Sequence, residues 1–385
     1  MDFDLQWLLW GLPLAFALGW LASRVDVRQW KREQVDSPKV YYKGLNLLLN
    51  EQHDKAIDAF IEAVQQDPDT SDLHFALGNL FRRRGEYERA VRVHEHLLHR
   101  ADLPKSERDR AQYALAQDFM KAGLFDRAEV AYRALEGTVF ATEARLALLT
   151  LHERSRDWRA AIAVAQQLEQ SGTGSFATRI SHYWCEVALE ADSSRQPAIA
   201  ADAIQQARAA APQAARPRVL AGQRAAQHGA FNEALQAWGA LVTLQPAAFN
   251  LIARDYAASA LAAGERAQAL EDLHVIYRRT PTLDVLEAIA LLEPEAEGRR
   301  GRLLAHLRAH PTLSAARALL DETAPPQAGG PTEATLALRN AVERAARPLH
   351  RYRCAACGFE AEHYFWQCPG CLGWNTYPPQ RLEDL

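Results

Sequence analysis

Two stretches near the start of the chain repeat one pattern 34 residues apart, and that spacing limits the fold more than anything else in the sequence. GLNLLLNEQHDKAIDAFIEAVQQDP (Gly44–Pro68) aligns with GNLFRRRGEYERAVRVHEHLLHR (Gly78–Arg100), so that Gly44 matches Gly78 and Ala56 matches Ala90. A unit of this length holds two helices and the turn between them, and a single hairpin cannot bury its own apolar face. Stacking is therefore obligatory. Small residues belong where the two helices touch, and Pro68 stands where the second helix must stop.

The period and the set Gly44, Ala56, Phe60, Ala63 and Pro68 define a tetratricopeptide repeat (TPR). Looser copies follow: Leu115, Gly123, Phe125, Ala128 and Tyr132, then Trp158, Ala161 and Leu168, then Trp184, Ala200, Ala207 and Pro212. Two more contain Gly222, Phe231, Ala234, Trp238 and Pro246, and Gly264, Ala269, Ile276 and Pro281. Past Pro281 the pattern decays into a degenerate pair around Leu303, Leu304, Leu307 and Pro311. The expected class is all-α: a TPR superhelix of about seven to nine helix-turn-helix repeats over 37–320. Such arrays bind partners on the face lined by each repeat's first helix. Helical phase nominates Tyr41, Leu45, Phe75, Asn79, Arg82, Arg83, Tyr113, Gln117 and Lys121 for that face. Arginine forks suit carboxylates, so Arg82 and Arg83 in FRRRG are the leading candidates, weighed against a merely solvated charge run. Phe75 stands four residues before Asn79, where a Lys would clamp a C-terminal carboxylate, which speaks against that mode.

From Leu5 to Ala22 no residue is charged, and an 18-residue helix at about 1.5 Å per residue just spans a hydrocarbon core. Trp7, Trp10 and Trp20 sit near its ends, where indoles favour the interface. A cleavable signal peptide would begin with basic residues, yet the chain opens Met1, Asp2, Phe3, Asp4 and its cations, Arg24, Arg28, Lys31 and Arg32, follow. The expectation is one transmembrane anchor over 1–22, N-terminus outside, with a juxtamembrane linker over 23–36 and everything later cytoplasmic.

Four of the five cysteines fall in YRCAACGFEAEHYFWQCPGCLGW. Cys354, Cys357, Cys368 and Cys371 form C-x2-C-x10-C-x2-C, two turns that each offer a pair of thiolates to one tetrahedral Fe or Zn ion. Gly358 and Gly370 are placed for the unusual backbone angles or close approach to sulfur that such turns need. A module spanning 351–385 is too small for its own core, so metal would supply much of its folding free energy. Disulfides conflict with a cytoplasmic location, and a redox pair needs one C-x-x-C near a βαβ pattern. A Pro/Gly-rich linker and a helix over 321–350 lead into this module.

Other chemistry is absent from the sequence. HEHLLH (His94–His99) has Leu98 where a zinc-protease box needs its second histidine, and no phosphate-binding or nucleophile-elbow motif occurs. His306 and His310, one turn apart, lack a third ligand and read as surface imidazoles; Cys185 reads as an inert core thiol. A net charge of −4 gives no basis for nucleic-acid binding.

An anchor ending in GWLASR, an array opening with YYKGLNLLLNEQHDKAIDAF and a terminal YRCAACGF…WQCPGC together resemble the lipopolysaccharide assembly protein B (LapB) family of Gram-negative bacteria. The resemblance spans the chain. It implies a non-catalytic inner-membrane adaptor that helps the membrane protease FtsH degrade LpxC, the deacetylase committing to lipid A synthesis. It also implies a rubredoxin-like module packed on the repeats, with one Fe or Zn ion held by Cys354, Cys357, Cys368 and Cys371. A membrane lipopolysaccharide sensor, other lipopolysaccharide assembly proteins and a second copy of the chain are further candidate partners. Two other readings stand beside it: a scaffold for lipopolysaccharide synthesis or transport enzymes, and an electron-transfer protein cycling iron in the four-thiolate site.

Overall fold

The computed structural model describes residues 15–20, 42–66, 70–322 and 332–384. The chain divides into two compact units, Met1–Asp157 and Trp158–Leu385. Both are built of antiparallel helical hairpins.

In the first unit, helix α1 (42–49) pairs with α2 (His53–Gln66), α3 (Ser71–Arg84) with α4 (Tyr87–His99), and α5 (Lys105–Ala122) with α6 (Phe125–Arg133). Helix α7 (Ala141–Ser155) closes it. The repeat works by exchanging bulk across each hairpin. A Cβ on Gly44 would lie 2.9 Å from the Phe60 ring, and one on Gly78 would lie 2.5 Å from the His94 ring. The glycine lets a ring sixteen residues later lie against bare backbone, which is why the small residue recurs with the period. Around the first two hairpins Ile57, Phe60, Leu73, Leu77, Leu80 and Phe81 form one apolar cluster.

One polar network crosses this core. Asp118, fully buried on α5, accepts from Arg82 Nη1 at 2.7 Å and from His94 Nδ1 at 2.5 Å. Arg82 also donates to the Ala114 carbonyl at 3.1 Å and to Asn79 Oδ1 at 2.5 Å. A buried charge so fully hydrogen-bonded fixes the register of α3, α4 and α5.

The second unit begins with α8 (Trp158–Gln170), then α9 (Ala177–Ser193) against α10 (Pro197–Ala210) and α11 (Arg216–Gln227) against α12 (Phe231–Gly239). A short α13 (Leu241–Leu244) and a 3₁₀ turn (Pro246–Leu251) lead to α14 (Ala253–Ala263) and α15 (Arg266–Arg279). Then come α16 (Leu283–Leu292), α17 (Ala296–Ala309), α18 (Leu313–Glu322) and α19 (Glu333–Ala346). Here too a Cβ on Gly222 would lie 2.3 Å from the Trp238 indole, the same exchange. The degenerate region is regular helix. His306 is buried with Nδ1 bonded to the Tyr277 hydroxyl at 2.7 Å, so it is a core residue, in contrast to the surface position expected from sequence; His310 is exposed. Beyond α19 the only strands among the described residues are β1 (Tyr352–Arg353) and β2 (Glu360–Ala361), antiparallel, with Tyr352 opposite Ala361.

No helix among the described residues is long and apolar enough to cross a membrane. Of the apolar stretch 5–22, residues 15–20 are described, as helix; the rest of it, the linker over 23–36, Tyr41, Pro68 and residues 323–331 lie outside the described residues.

Candidate metal centre and its docking face

The two C-x-x-C segments fold into the same turn twice. In the first, Cys354 N bonds to the Phe359 carbonyl at 2.9 Å and Gly358 N to the Cys354 carbonyl at 2.9 Å. In the second, Cys368 N bonds to the Gly373 carbonyl at 2.8 Å and Leu372 N to the Cys368 carbonyl at 2.8 Å. Each turn sits at the tip of a short antiparallel pair, β1/β2 for the first and the Gln367–Trp374 bridge for the second. The fifth residue of each turn is left-handed: Gly358 at φ 78° and Leu372 at φ 59°. The sequence reading of Gly358 holds, but that of Gly370 is corrected. Gly370 carries no left-handed angle; a Cβ there would meet Phe359 at 3.3 Å, and the strained position belongs to Leu372.

The four thiol sulfurs converge within 4.8 Å of one another. Cys354 and Cys371 sulfurs are 3.8 Å apart, and those of Cys357 and Cys368 are 3.6 Å apart. A tetrahedral ion with metal–sulfur bonds of about 2.3 Å sets its sulfurs roughly 3.8 Å apart, so the set fits one such ion. All four are free thiols. Burial opposes the Cys354 thiolate, but hydrogen bonds from Thr376 and from the Cys357 and Ala356 backbone outweigh it and hold the thiol at about 6. Cys357 is pushed up to about 12: its bond from the Phe359 backbone is outweighed by burial and the neighbouring thiols. One thiolate forms readily and opposes the next, so four together require a cation. Cys354 and Cys368 are buried while Cys357 and Cys371 reach solvent, which gives an ion an entry side.

This ribbon is seated on the repeats of the second unit. Trp374 stacks on His182 with ring centres 4.8 Å apart and meets Tyr183 and Trp158 edge-on. His182 is buried, and burial together with the Arg216 charge pushes its pKa down to about 3, so it packs as a neutral ring. Buried Arg216 pairs with Glu186 at 2.6 Å, bonds the His182 carbonyl at 3.3 Å, and sets its guanidinium 5.5 Å from the Trp374 ring centre. Leu251 enters the ribbon's own apolar cluster of Tyr352, Cys354, Cys368 and Tyr377.

The segment after the ribbon straps back across the helices. Asn250 Nδ2 donates to the Pro379 carbonyl at 3.2 Å, Arg381 pairs with Asp284 at 3.1 Å, and Glu383 accepts from Ser314 N at 3.1 Å. Sequence reasoning missed these partners, His182, Arg216, Asn250 and Asp284 among them. The one available signal was Trp366 and Trp374, two indoles that a thirty-residue module cannot bury by itself. Cys185 is buried with its thiol pushed up to about 12 by burial, as befits a core thiol.

The groove residues nominated from sequence are not equivalent. Phe75 is packed with Leu97, Leu103, Ala111 and Ala114, and Arg82 is committed to Asp118, so both are structural instead of partner-facing. They lie where one helix packs on neighbours from two sides, which phase alone does not reveal. Leu45 leans on the first apolar cluster, and Tyr113 is half-buried with its ring stacked 5.1 Å from Phe140. Asn79 and Gln117 are half-buried, while Arg83 and Lys121 are exposed.

The fold and the site define a class: helical repeat proteins that carry a metal ribbon seated on their own array. Residues 352–379 match the family described as "Rubredoxin metal binding domain". The chain is 31% identical over 379 residues to "Lipopolysaccharide assembly protein B" of Escherichia coli (strain K12), covering 97% of each. It is 28% identical over 400 residues to the protein of that name from Haemophilus influenzae, covering 97% of this chain and 98% of that one. The chain belongs to the lipopolysaccharide assembly protein B (LapB) family.

Proposed function

We propose that this chain is a non-catalytic adaptor of lipopolysaccharide assembly, anchored in the bacterial inner membrane by residues 1–22, with repeats and ribbon on the cytoplasmic side. In this reading it presents the deacetylase LpxC to the protease FtsH through its repeats. The observation that carries the reading is family membership over 97% of the chain, ribbon included. The four-thiol cluster and its seating on α9, α11 and the 246–251 turn support a ribbon that holds the array in a binding-competent form. An adaptor needs no chemistry of its own: holding a substrate beside a membrane protease raises its effective concentration, commonly to about the mM range.

The test is the cellular half-life of LpxC with the wild-type chain, with the chain depleted, and with Cys354→Ser/Cys357→Ser. Depletion and the double variant should both lengthen it several-fold. An unchanged half-life on depletion sinks the adaptor reading and leaves the scaffold for other assembly proteins. A reversible iron potential with a partner reductase would favour electron transfer instead.

A further inference from the structure

Most cations of the first unit are spent on acids within it: Arg84 on Glu86 at 2.9 Å, Arg110 on Asp72 at 2.9 Å, Arg127 on Glu95 at 3.1 Å. Five are not: Lys55, Arg83, Lys105, Lys121 and Arg154 are exposed and, among the described residues, have neither a hydrogen bond nor a carboxylate within salt-bridge distance. Lys55 and Lys105 lie in the first turns of α2 and α5. The positions of Arg83, Lys121 and Arg154 are related. Each lies two residues before the left-handed cap of its helix: Gly85 at φ 84° on α3, Gly123 at φ 77° on α5, Arg156 at φ 59° on α7. The cap bonds also repeat, with Gly85 N to the Arg82 carbonyl, Gly123 N to Met120, and Arg156 N to Glu153. The three cations thus occupy one register position in three successive first helices. Arg82 reaches from α3 to the Ala114 carbonyl of α5, which fixes those two helices as neighbours. The same position two residues before a left-handed cap is Leu49 ahead of Glu51, and Gln227 and Ala262 ahead of Gly229 and Gly264. The charge is confined to three repeats.

We infer that Arg83, Lys121 and Arg154 form a recognition row for an acidic, extended segment of a partner protein. The inference rests on the adaptor reading and names the chemistry of what the repeats hold. Packed helices such as α3 and α5 stand about 8–10 Å apart, and an extended chain advances about 3.3 Å per residue, so carboxylates three residues apart match the step from Arg83 to Lys121. The chain continues toward Arg154 on α7, whose start meets α5 where Phe140 stacks 5.1 Å from Tyr113. One turn earlier on two of these helices stand Asn79, whose Oδ1 is taken by Arg82 and whose Nδ2 is left to donate, and Gln117, whose amide can both donate to and accept from the unpaired backbone of an extended segment. A lipid-binding surface gathers its cations beside apolar side chains on one amphipathic helix, whereas here the charges are dealt one to a helix. A cation in a last helical turn also offsets the helix dipole, so the test carries a stability readout.

The test uses the purified full chain in detergent and a fluorescent peptide with glutamate at every third position of a Gly/Ser background, beside its glutamine counterpart. The wild-type chain should bind the glutamate peptide at least fivefold more tightly at low salt, with the preference falling as salt screens it. Arg83→Gln/Lys121→Gln/Arg154→Gln should abolish the preference without shifting the melting temperature. Arg83→Lys/Lys121→Arg/Arg154→Lys, which keeps the charge, should retain it. Equal binding of both peptides by the wild-type chain overturns the row, as does a preference that survives the glutamine triple or is lost in the charge-preserving one. Phosphatidylglycerol vesicles that bind the wild-type chain and not the glutamine triple, with no peptide bound by either, would overturn it in favour of a membrane-facing patch. Equal binding of both peptides by the wild-type chain, with LpxC turnover that still slows on depletion, sinks the row alone. An intact preference with turnover indifferent to depletion supports the row and sinks the adaptor reading.

Discussion

Leu372 occupies the one backbone position in the second cysteine turn that glycine fills in the first. A side chain in the left-handed region costs about 1–2 kcal/mol, and the turn tolerates it because backbone bonds from Leu372 N to the Cys368 carbonyl and from Cys368 N to the Gly373 carbonyl hold the residue there. The two turns therefore respond differently to the same exchange. Gly358→Leu should lower the melting temperature by about 3–6 °C, while Leu372→Gly should leave it within about 2 °C or raise it. Calorimetry of the metal-loaded chain checks both, and a gain from Gly358→Leu, or a loss of about 3–6 °C from Leu372→Gly, would contradict the shared-turn geometry. Residue-scale legibility in the sequence was uneven for the same reason. C-x2-C-x10-C-x2-C marks all four converging thiols because the spacing within each pair is local. Gly370 was misjudged because a left-handed angle is a property of the folded turn, and a glycine beside a cysteine is only one way to meet it.

At the scale of elements, the hairpins were readable and their neighbours were not. Gly44 with Phe60, Gly78 with His94 and Gly222 with Trp238 are contacts inside one repeat, so periodicity carries them. Phe75 and Arg82 were misplaced because their partners, Ala111 and Asp118, come from the next repeat, where the pattern has drifted. The strap after the ribbon is an element with no periodic signature at all, yet it is tuned by charge. Asp384 is pushed up to about 6 by burial and by Glu383 and Asp284, against the pull of Arg381 and His350. Glu383 is held below its ordinary value: burial works against its charge, but bonds from His350 and Ser314 outweigh that. The signs oppose. Glu383 contributes stability above its ordinary value that is lost in acid, whereas Asp384 stabilises when protonated and loses that contribution as pH rises through about 6. Asp384→Asn should then raise the melting temperature by about 1–3 °C at pH 7.5 and leave it unchanged at pH 5. A gain of equal size at both values would show that the side chain's ionisation is irrelevant to the strap.

At the scale of the whole molecule, the second unit joins a repeat array and a metal site into one cooperative body. Trp374, Leu251 and the Arg381–Asp284 pair make the ribbon part of the array's core. Removing the ion with a chelator should therefore loosen more than residues 352–384. Amide exchange should rise in α9, in α11 and in the 246–251 turn, and re-addition of metal should reverse it. Exchange confined to the ribbon would mean that the seating survives without the ion. The family's architecture, a module packed on the repeats included, was legible through the resemblance, but the residues of the seating were not, because they pair at separations of 129 and 97 positions with no pattern between them.

That separation has a consequence during synthesis. Asn250 must wait for Pro379, 129 residues later. At about 5–20 residues per second the docking face of the array stands uncovered for roughly 6–26 s after it emerges from the ribosome. Its indole-binding surface around His182 and Tyr183 and the buried arginine at 216 are then open to any apolar segment nearby. A nascent chain of this kind depends on brisk, uninterrupted translation or a chaperone's cover over just that interval, and a ribosome stalled between residues 250 and 352 would hold out a half-finished surface for proteolysis to find.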